Sequence, residues 1–322
     1  MNTVLFICHF NEFSGGHLKV RDYFNHVASS SKYVPKVYFS PDTLWNDTNP
    51  WLGMKDKALK ELDLNVADVI VITSSGWHMF SEEQRRDPKK PVINIIQAFR
   101  YADPMGDFYK FNKYKAIRIC ISPQVFSTME RVTGSGNGLF MVPIGLDYSC
   151  FPAPKSFTER SIDVLIGGIK DPKMAGSIEE RLRASGKIVR IVSSQIPRKE
   201  FLNLIADAKI SVFLPKPKEG FFLPPLEGMA LGTMVICPAM TGGSDSYRDR
   251  VNCFRPANNA DDIVTAINEA AGLTEKERQD MLRNAKRTAD EHSLSKERDA
   301  FLKILDNINQ IWQGLGKDTK ES

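Results

Sequence analysis

The chain has 322 residues, 42% of them hydrophobic and 25% charged, with a formal net charge of +4 at pH 7. These are the proportions of an ordinary globular protein, and the length exceeds what one hydrophobic core serves, so two domains of about 150 residues are expected. The charge is too mild to imply nucleic acid as a partner, and no apolar run approaches the ~18 residues that span a bilayer, which leaves only peripheral membrane contact.

The opening stretch VLFICHF has no basic leader and no cleavage site, and it reads as a buried strand over 4–10 rather than a signal peptide. A loop over 11–16 leads into a helix over 17–29. That loop carries Ser14-Gly15-Gly16 but not GxGxxG, and no GxxxxGK occurs anywhere, which disfavours a dehydrogenase or a P-loop ATPase. Further strands are expected at 37–40, 68–73, 91–98, 117–122 and 139–144, with helices over 55–64 and 123–132. GSGNG at 134–138 lacks the dinucleotide spacing and reads as a loop. Alternation of this kind argues for a parallel sheet with helices on both faces. The segment FPAPKSFTER, 151–160, is the best linker, dividing a first domain, 1–152, from a second, 153–296.

The pattern then restarts. Strands are expected at 162–166, 188–193, 210–214 and 234–237, and helices at 176–185, 198–208, 223–231, 260–271 and 274–291. In a last helix over 293–315, Phe301, Ile304, Leu305, Ile308, Ile311 and Trp312 fall on one stripe. The tail 316–322 is expected to be disordered. The fold class is thus α/β, with two Rossmann-like halves.

Residues 210–232, ISVFLPKPKEGFFLPPLEGMALG, carry the most chemistry. A buried strand is followed by a turn at Glu219-Gly220. Pro224 and Pro225 then suit the opening of a helix, where a missing N–H costs nothing. Leu226, Met229 and Ala230 give that helix an apolar face, and Gly232 can end it. A strand, a glycine turn and a helix N-terminus together make a place to hold phosphate.

This stretch resembles the signature of the large retaining, nucleotide-sugar-dependent family four of GT-B glycosyltransferases, the glycosyl transferases group 1. There a glutamate, a Gly-Phe-Gly-Leu-Pro run and a second glutamate after seven intervening residues precede Ala-Met-Ala-x-Gly. Here the run is Glu219-Gly-Phe-Phe-Leu-Pro-Pro-Leu-Glu227-Gly-Met-Ala-Leu-Gly232. The strand TMVICP, the Gly242-Gly243 loop and residues 248–270 also look like that family, as do ISPQVFSTMERV and FMVPIGLDYSCFP in the first half. The resemblance implies a GT-B fold, two Rossmann-like domains with parallel sheets facing a central cleft. The first would bind the acceptor and the second the donor. The last helix, 297–315, would pack back on the first.

Roles follow by the same resemblance. Glu227 would bind the donor ribose, since an ionised carboxylate accepts two hydrogen bonds from a vicinal diol. Glu219 would lie near the donor sugar, or else pair with Lys216 or Lys218 as a loop carboxylate. Backbone N–H groups of Phe221, Phe222 and Leu223, after Gly220, would face the distal phosphate. Phe222 stands where the family has glycine. Lys173 matches a family lysine that stabilises the leaving diphosphate, but Gly168 holds the place of its arginine, and Lys170 can substitute as a cation without the bidentate fork. Arg198 is another candidate cation, although an exposed first-turn residue is the favoured reading. Gly15 and Gly16 would let the backbone approach the donor. Gln97 stands where relatives place a histidine on the reacting sugar and cannot act as a base. His78 and Arg100 are acceptor-side candidates.

No cofactor is expected. The five histidines show no HxxxH or HExxH spacing, no Asp-x-Asp occurs, and no Gly-x-Ser-x-Gly elbow is present. Cys8, Cys120, Cys150, Cys237 and Cys253 form no CxxC pair, so neither zinc nor a disulfide framework is expected, and the composition suits a reducing cytoplasm. The expected activity is transfer of a sugar from a nucleoside diphosphate to an acceptor hydroxyl without metal, with a glycan or lipid-linked glycan as acceptor. Two rivals are a nucleotide-sugar 2-epimerase of the same architecture and a degenerate protein that binds sugar nucleotide without turnover.

Overall fold

The computed structural model describes residues 1–315 except 135, 137 and 184, so the tail 316–322 and two positions of the 134–138 loop lie outside the described residues. The chain divides into two compact units, Met1–Ile144 with the residues from Ser295 onward, and Gly145–Leu294.

In the first unit, β1 (Asn2–Cys8), β2 (Tyr33–Phe39), β3 (Val69–Ile72), β4 (Val92–Ile96), β5 (Ile117–Cys120) and β6 (Leu139–Met141) form one parallel sheet in the order β2-β1-β3-β4-β5-β6. All residues of β3 and β4 are buried, as expected of parallel strands covered on both faces. Helices α1 (Gly15–Ala28), α2 (Glu82–Arg86) and α3 (Pro123–Thr133) lie among them. The short α2 was not expected from the sequence. It rests on a capping box in which the Ser81 hydroxyl accepts the Gln84 N–H while the Gln84 side chain accepts that of Ser81. Residues 55–64 do not form the expected helix. A 3-10 turn over Leu52–Lys57 is followed by Leu59, whose N–H donates to Val37 C=O at 2.8 Å, so tertiary pairing beside β2 overrides the helical spacing.

In the second unit, β7 (Ile162–Gly167), β8 (Val189–Val192), β9 (Ala208–Phe213) and β10 (Met234–Ile236) form a parallel sheet in the order β10-β9-β7-β8. Its helices are α4 (Pro172–Arg183), α5 (Arg198–Asp207), α6 (Leu223–Leu231), α7 (Ala260–Gly272) and α8 (Glu275–Glu291). One core joins Val164, Ile166, Val212, Ile236, Ile178 and Ile263 from the strands, α4 and α7. Arg160 is 4% exposed and is held by carbonyls rather than a carboxylate: Ala208 at 2.9 Å, Lys155 at 3.0 Å and Leu231 at 2.7 Å.

The break expected after residue 152 falls inside this unit. Residues just beyond Ile144 are tied into it, Leu146 donating its N–H to His292 C=O and the Tyr148 hydroxyl to Ala289 C=O. The chain then returns to the first unit in α9 (Leu294–Asp306) and α10 (Ile308–Gly314). These replace the single helix expected over 293–315, and the break falls at Asn307, whose side-chain amide donates to Lys303 C=O. The sequence stripe still packs. Phe301 is fully buried and meets Tyr23 of α1 edge-on, with ring centroids 4.6 Å apart.

The seam between α1 and α9 is ionic as well as apolar. Lys19, Asp22 and His26 share one face of α1 by helical spacing. Glu297 on α9, fully buried, lies 2.8 Å from Lys19 Nζ and 2.9 Å from His26 Nε2, and Lys19 also meets Asp22 at 2.6 Å. Among the described residues no helix is long and apolar enough to cross a membrane.

Candidate functional site

Two sets of residues, one in each unit, hold the positions singled out in the sequence. In the second unit the centre is α6. Pro224 and Pro225 lie in its first turn, and Gly232 ends it in the left-handed conformation, φ 72°. Phe222 is its N-cap; it makes no side-chain cap hydrogen bond and the first turn of the helix holds no acid. Tyr247 fixes the entry by donating its hydroxyl to Phe222 C=O at 2.7 Å. The Gly242-Gly243 loop closes over the same turn. A side chain at Gly242 would run into the carbonyls of Glu219 and Gly220, and Gly243, at φ +73°, faces the Phe221 ring. Phe221 packs between Tyr247 and His292.

Glu219 is not paired with the side chain of Lys216 or Lys218. Its Oε1 meets Lys170 Nζ at 2.6 Å and accepts the backbone N–H of Lys216 at 3.0 Å. Lys170 also lies over the Phe222 ring, 4.5 Å from its centroid. Lys173 is exposed on the first turn of α4. Gly168 is walled in: a Cβ there would overlap the Cβ of Ala175 on α4, so no arginine fits that position without moving the helix.

Glu227 points from the middle of α6 into the protein and is 1% exposed. Arg198, at the start of α5, is not the exposed residue expected. Its Nη2 lies 2.8 Å from Glu227 Oε1, and its side chain is only 20% exposed. The guanidinium sits beside that oxygen without aiming an N–H along it, so the contact is an ion pair rather than an aligned hydrogen bond. Burial lowers the guanidinium's affinity for its proton, and Glu227 and then Cys150 reverse this, leaving it above the usual arginine value. The sequence offers Arg198 as a cation but favours an exposed residue, because nothing in PRKEF marks it as buried.

In the first unit, Gln97 follows β4 and donates its side-chain amide to Gly16 C=O at 2.9 Å. A Cβ on Gly16 would come within 2.7 Å of Gln97 Oε1, so glycine is what admits this contact at the start of α1. Ser14, the α1 N-cap, makes no side-chain cap; its hydroxyl meets His17 Nδ1 at 3.1 Å instead. His17 packs on Phe10, and its pKa is lowered to about 4, by burial first and by His9 next. His9 in turn meets the Ser40 hydroxyl at 2.7 Å and Asp42 at 3.4 Å. Neither His9 nor His17 was singled out from the sequence, though both flank the loop that was. His78 and Arg100 meet the same ring, Phe108: His78 edge-on at 6.1 Å, and the Arg100 guanidinium over its face at 4.7 Å. Both are exposed, and burial together with Lys110 and Arg85 lowers the His78 pKa.

Among solved structures, the fold is similar to HepE of Anabaena, solved in complex with UDP-glucose, at a TM-score of 0.71 and 12% identity over 95% of this chain and 100% of that one. It is also similar to a sucrose-phosphate synthase of Thermosynechococcus elongatus (TM-score 0.69, 13% identity, 97% and 100% covered) and to MnaA of S. aureus, solved with UDP (TM-score 0.66, 10% identity, 97% and 98% covered). At such identities the likeness establishes the fold, the two Rossmann-like units of GT-B. A search of curated proteins by sequence found no match. Residues 160–288, which hold Lys170, Lys173, Arg198, Glu219 and Glu227, match the family described as Glycosyl transferases group 1.

Proposed function

We propose that the chain is a retaining glycosyltransferase that moves a sugar from a nucleoside diphosphate to an acceptor hydroxyl. The observation that carries this reading is Glu227, a carboxylate buried in α6 inside the segment that matches the family, with an uncapped helix N-terminus and a glycine loop one turn away. The ion pair with Arg198 uses Oε1, and the reading gives Oε2 to the ribose hydroxyls. The diphosphate sits at the N-terminus of α6, where the helix dipole and the backbone N–H groups of Phe221, Phe222 and Leu223 meet its charge. Lys170 and Lys173 neutralise the charge that develops as the glycosidic bond breaks, which is electrostatic stabilisation by positioned cations without a metal. Glu219, 2.6 Å from Lys170, holds that cation beside the place given to the donor phosphate and sugar.

The acceptor is assigned to the first unit, where Gln97, His78 and Arg100 lie, with a glycan or lipid-linked glycan as its class and peripheral membrane contact as its setting. UDP-sugars are the first donors to test, since HepE was solved with UDP-glucose and MnaA with UDP. The experiment is nucleotide release from UDP-, GDP- and dTDP-sugars, with Glu227→Ala and Lys173→Ala beside the wild type. Release that depends on acceptor and falls at least tenfold in both variants supports the reading; undiminished turnover in both removes the residue roles. Donor isomerised without acceptor would make the protein an epimerase instead.

A further inference from the structure

We infer that Arg198 is a positioning residue for the nucleotide: it holds Glu227 in the orientation that reads the ribose 2′-hydroxyl and so sets the preference for ribonucleotide over 2′-deoxyribonucleotide donors. The inference rests on the donor-site reading above and adds to it a residue that neither the glutamate spacing nor the matching of motifs picks out. Three features of the structure carry it. The carboxylate of Glu227 is 1% exposed, and a charge so buried requires a counter-charge. Arg198 supplies one from a different helix, Nη2 lying 2.8 Å from Oε1. The guanidinium is only partly engaged by that contact: it aims no N–H along Oε1, and its Nε is buried with no hydrogen-bond partner.

A side chain that served packing alone would be cheaper as an apolar residue, because a buried ion pair seldom outdoes well-packed hydrophobic side chains in stability. What the pair does provide is a fixed direction for the carboxylate. With one oxygen beside the cation, the other is held at one angle, and a vicinal diol can meet it without the carboxylate first having to be ordered. The start of α5 is a rigid place from which to do this, since Leu202 and Ile205 of the same helix are fully buried. Glu227 is the residue that touches the ribose; Arg198 acts through it.

The experiment is calorimetric binding of UDP, GDP, ADP and CDP and of their 2′-deoxy counterparts to the full chain, for the wild type and for Arg198→Ala, Arg198→Lys and Glu227→Ala. A hydrogen bond to a charged group contributes enough that the wild type is expected to bind its preferred ribonucleotide roughly ten- to a hundredfold tighter than the 2′-deoxy form. Arg198→Ala is expected to lose most of that preference, as Glu227→Ala does, while Arg198→Lys, which keeps the cation but not its geometry, retains an intermediate ratio. A merely structural role would weaken both nucleotide forms in proportion and leave the ratio unchanged. A full ratio in Arg198→Ala beside a lost one in Glu227→Ala overturns the role of Arg198 and leaves the donor site standing. No binding of any ribonucleotide by the wild type, or equal binding of both sugar forms, overturns the donor-site reading itself. If Arg198→Ala does not fold, Arg198→Lys decides: an undiminished ratio in a folded Lys variant counts against the inference, and a reduced one supports it.

Discussion

Glu297→Gln is the sharpest test of how the end of the chain is held to the first unit. The substitution keeps the volume of the side chain and removes its charge from a fully buried position between Lys19 at 2.8 Å and His26 at 2.9 Å. Removing one partner of a buried ion pair costs about 3–5 kcal/mol, because the remaining charge is left without compensation. Two features place this case at the lower end. Asp22 stays on Lys19 at 2.6 Å, and the glutamine amide can still meet the imidazole. About 3 kcal/mol is therefore expected, which for a unit of this size lowers the melting temperature by roughly 6–12 °C. The measurement has a built-in reporter, for all four tryptophans, Trp45, Trp51, Trp77 and Trp312, lie in the first unit. Their fluorescence follows that unit even if the second melts at another temperature, which matters because a chain of two units need not unfold in one step. A tryptophan transition within about 2 °C of the wild type would show that the α1–α9 seam is held by Phe301 and its neighbours alone and that the ionic group is incidental.

Three further outcomes follow from single sites. Gly168→Ala is expected to destabilise by about 1–3 kcal/mol by overpacking against Ala175, and Ala175→Gly in the same chain to restore most of the loss, both read as urea midpoints; Gly168 has no positive φ, so without that clash alanine would be neutral or better. Arg160→Met strands the carbonyls of Ala208, Lys155 and Leu231 and is expected to cost about 3 kcal/mol in the second unit, followed by circular dichroism since no tryptophan lies there. His17 supplies a pH dependence. Its folded pKa of about 4 lies below the unfolded value near 6.5, so between these limits the unfolded chain binds the extra proton and stability falls as pH falls. Above pH 6.5 nothing is lost. His17→Gln should remove about 3 kcal/mol of the acid loss between pH 6.5 and 4, and an unchanged slope would show that the ring is not held neutral.

The sheets were legible because of how parallel strands are covered. A strand with helices on both faces must be apolar on both, so β1, β3, β4, β7 and β9 stand out as short continuous runs that need no periodicity to be seen. Helices with a cap and a stripe were legible for a similar reason: Ser122 before Pro123, and the two prolines that open α6. What escaped was structure decided at a distance. Nothing local in 55–64 says that Leu59 will give its N–H to Val37, and nothing in 293–315 says that the side chain of Asn307 will take up the Lys303 carbonyl and break the helix. The first boundary was misplaced for a related reason. Prolines drew attention to 151–160, while the chain had already joined the second unit through Leu146 and Tyr148, whose partners lie near its far end.

The same division runs through the candidate site. Glu219, Glu227 and the prolines between them are one short stretch with a fixed spacing, and spacing is what a sequence displays. The partners of those carboxylates are not. Lys170 reaches Glu219 from 49 residues away, and Arg198 reaches Glu227 from a different helix. Each is a cation in an ordinary-looking loop or first turn, indistinguishable by composition from a solvated residue. Gly168 shows that this is more than missing detail. Ala175 closes the space at its Cα while Lys170 lies over Phe222, so in the proposed donor site the cation would enter from two residues further on. If that displacement is a working substitute, Lys170→Ala and Phe222→Gly should weaken binding of a nucleoside diphosphate non-additively, because the phenyl face acts only through the ammonium it holds. Additive losses by calorimetry would make Phe222 a packing residue and leave Gly168 a defect.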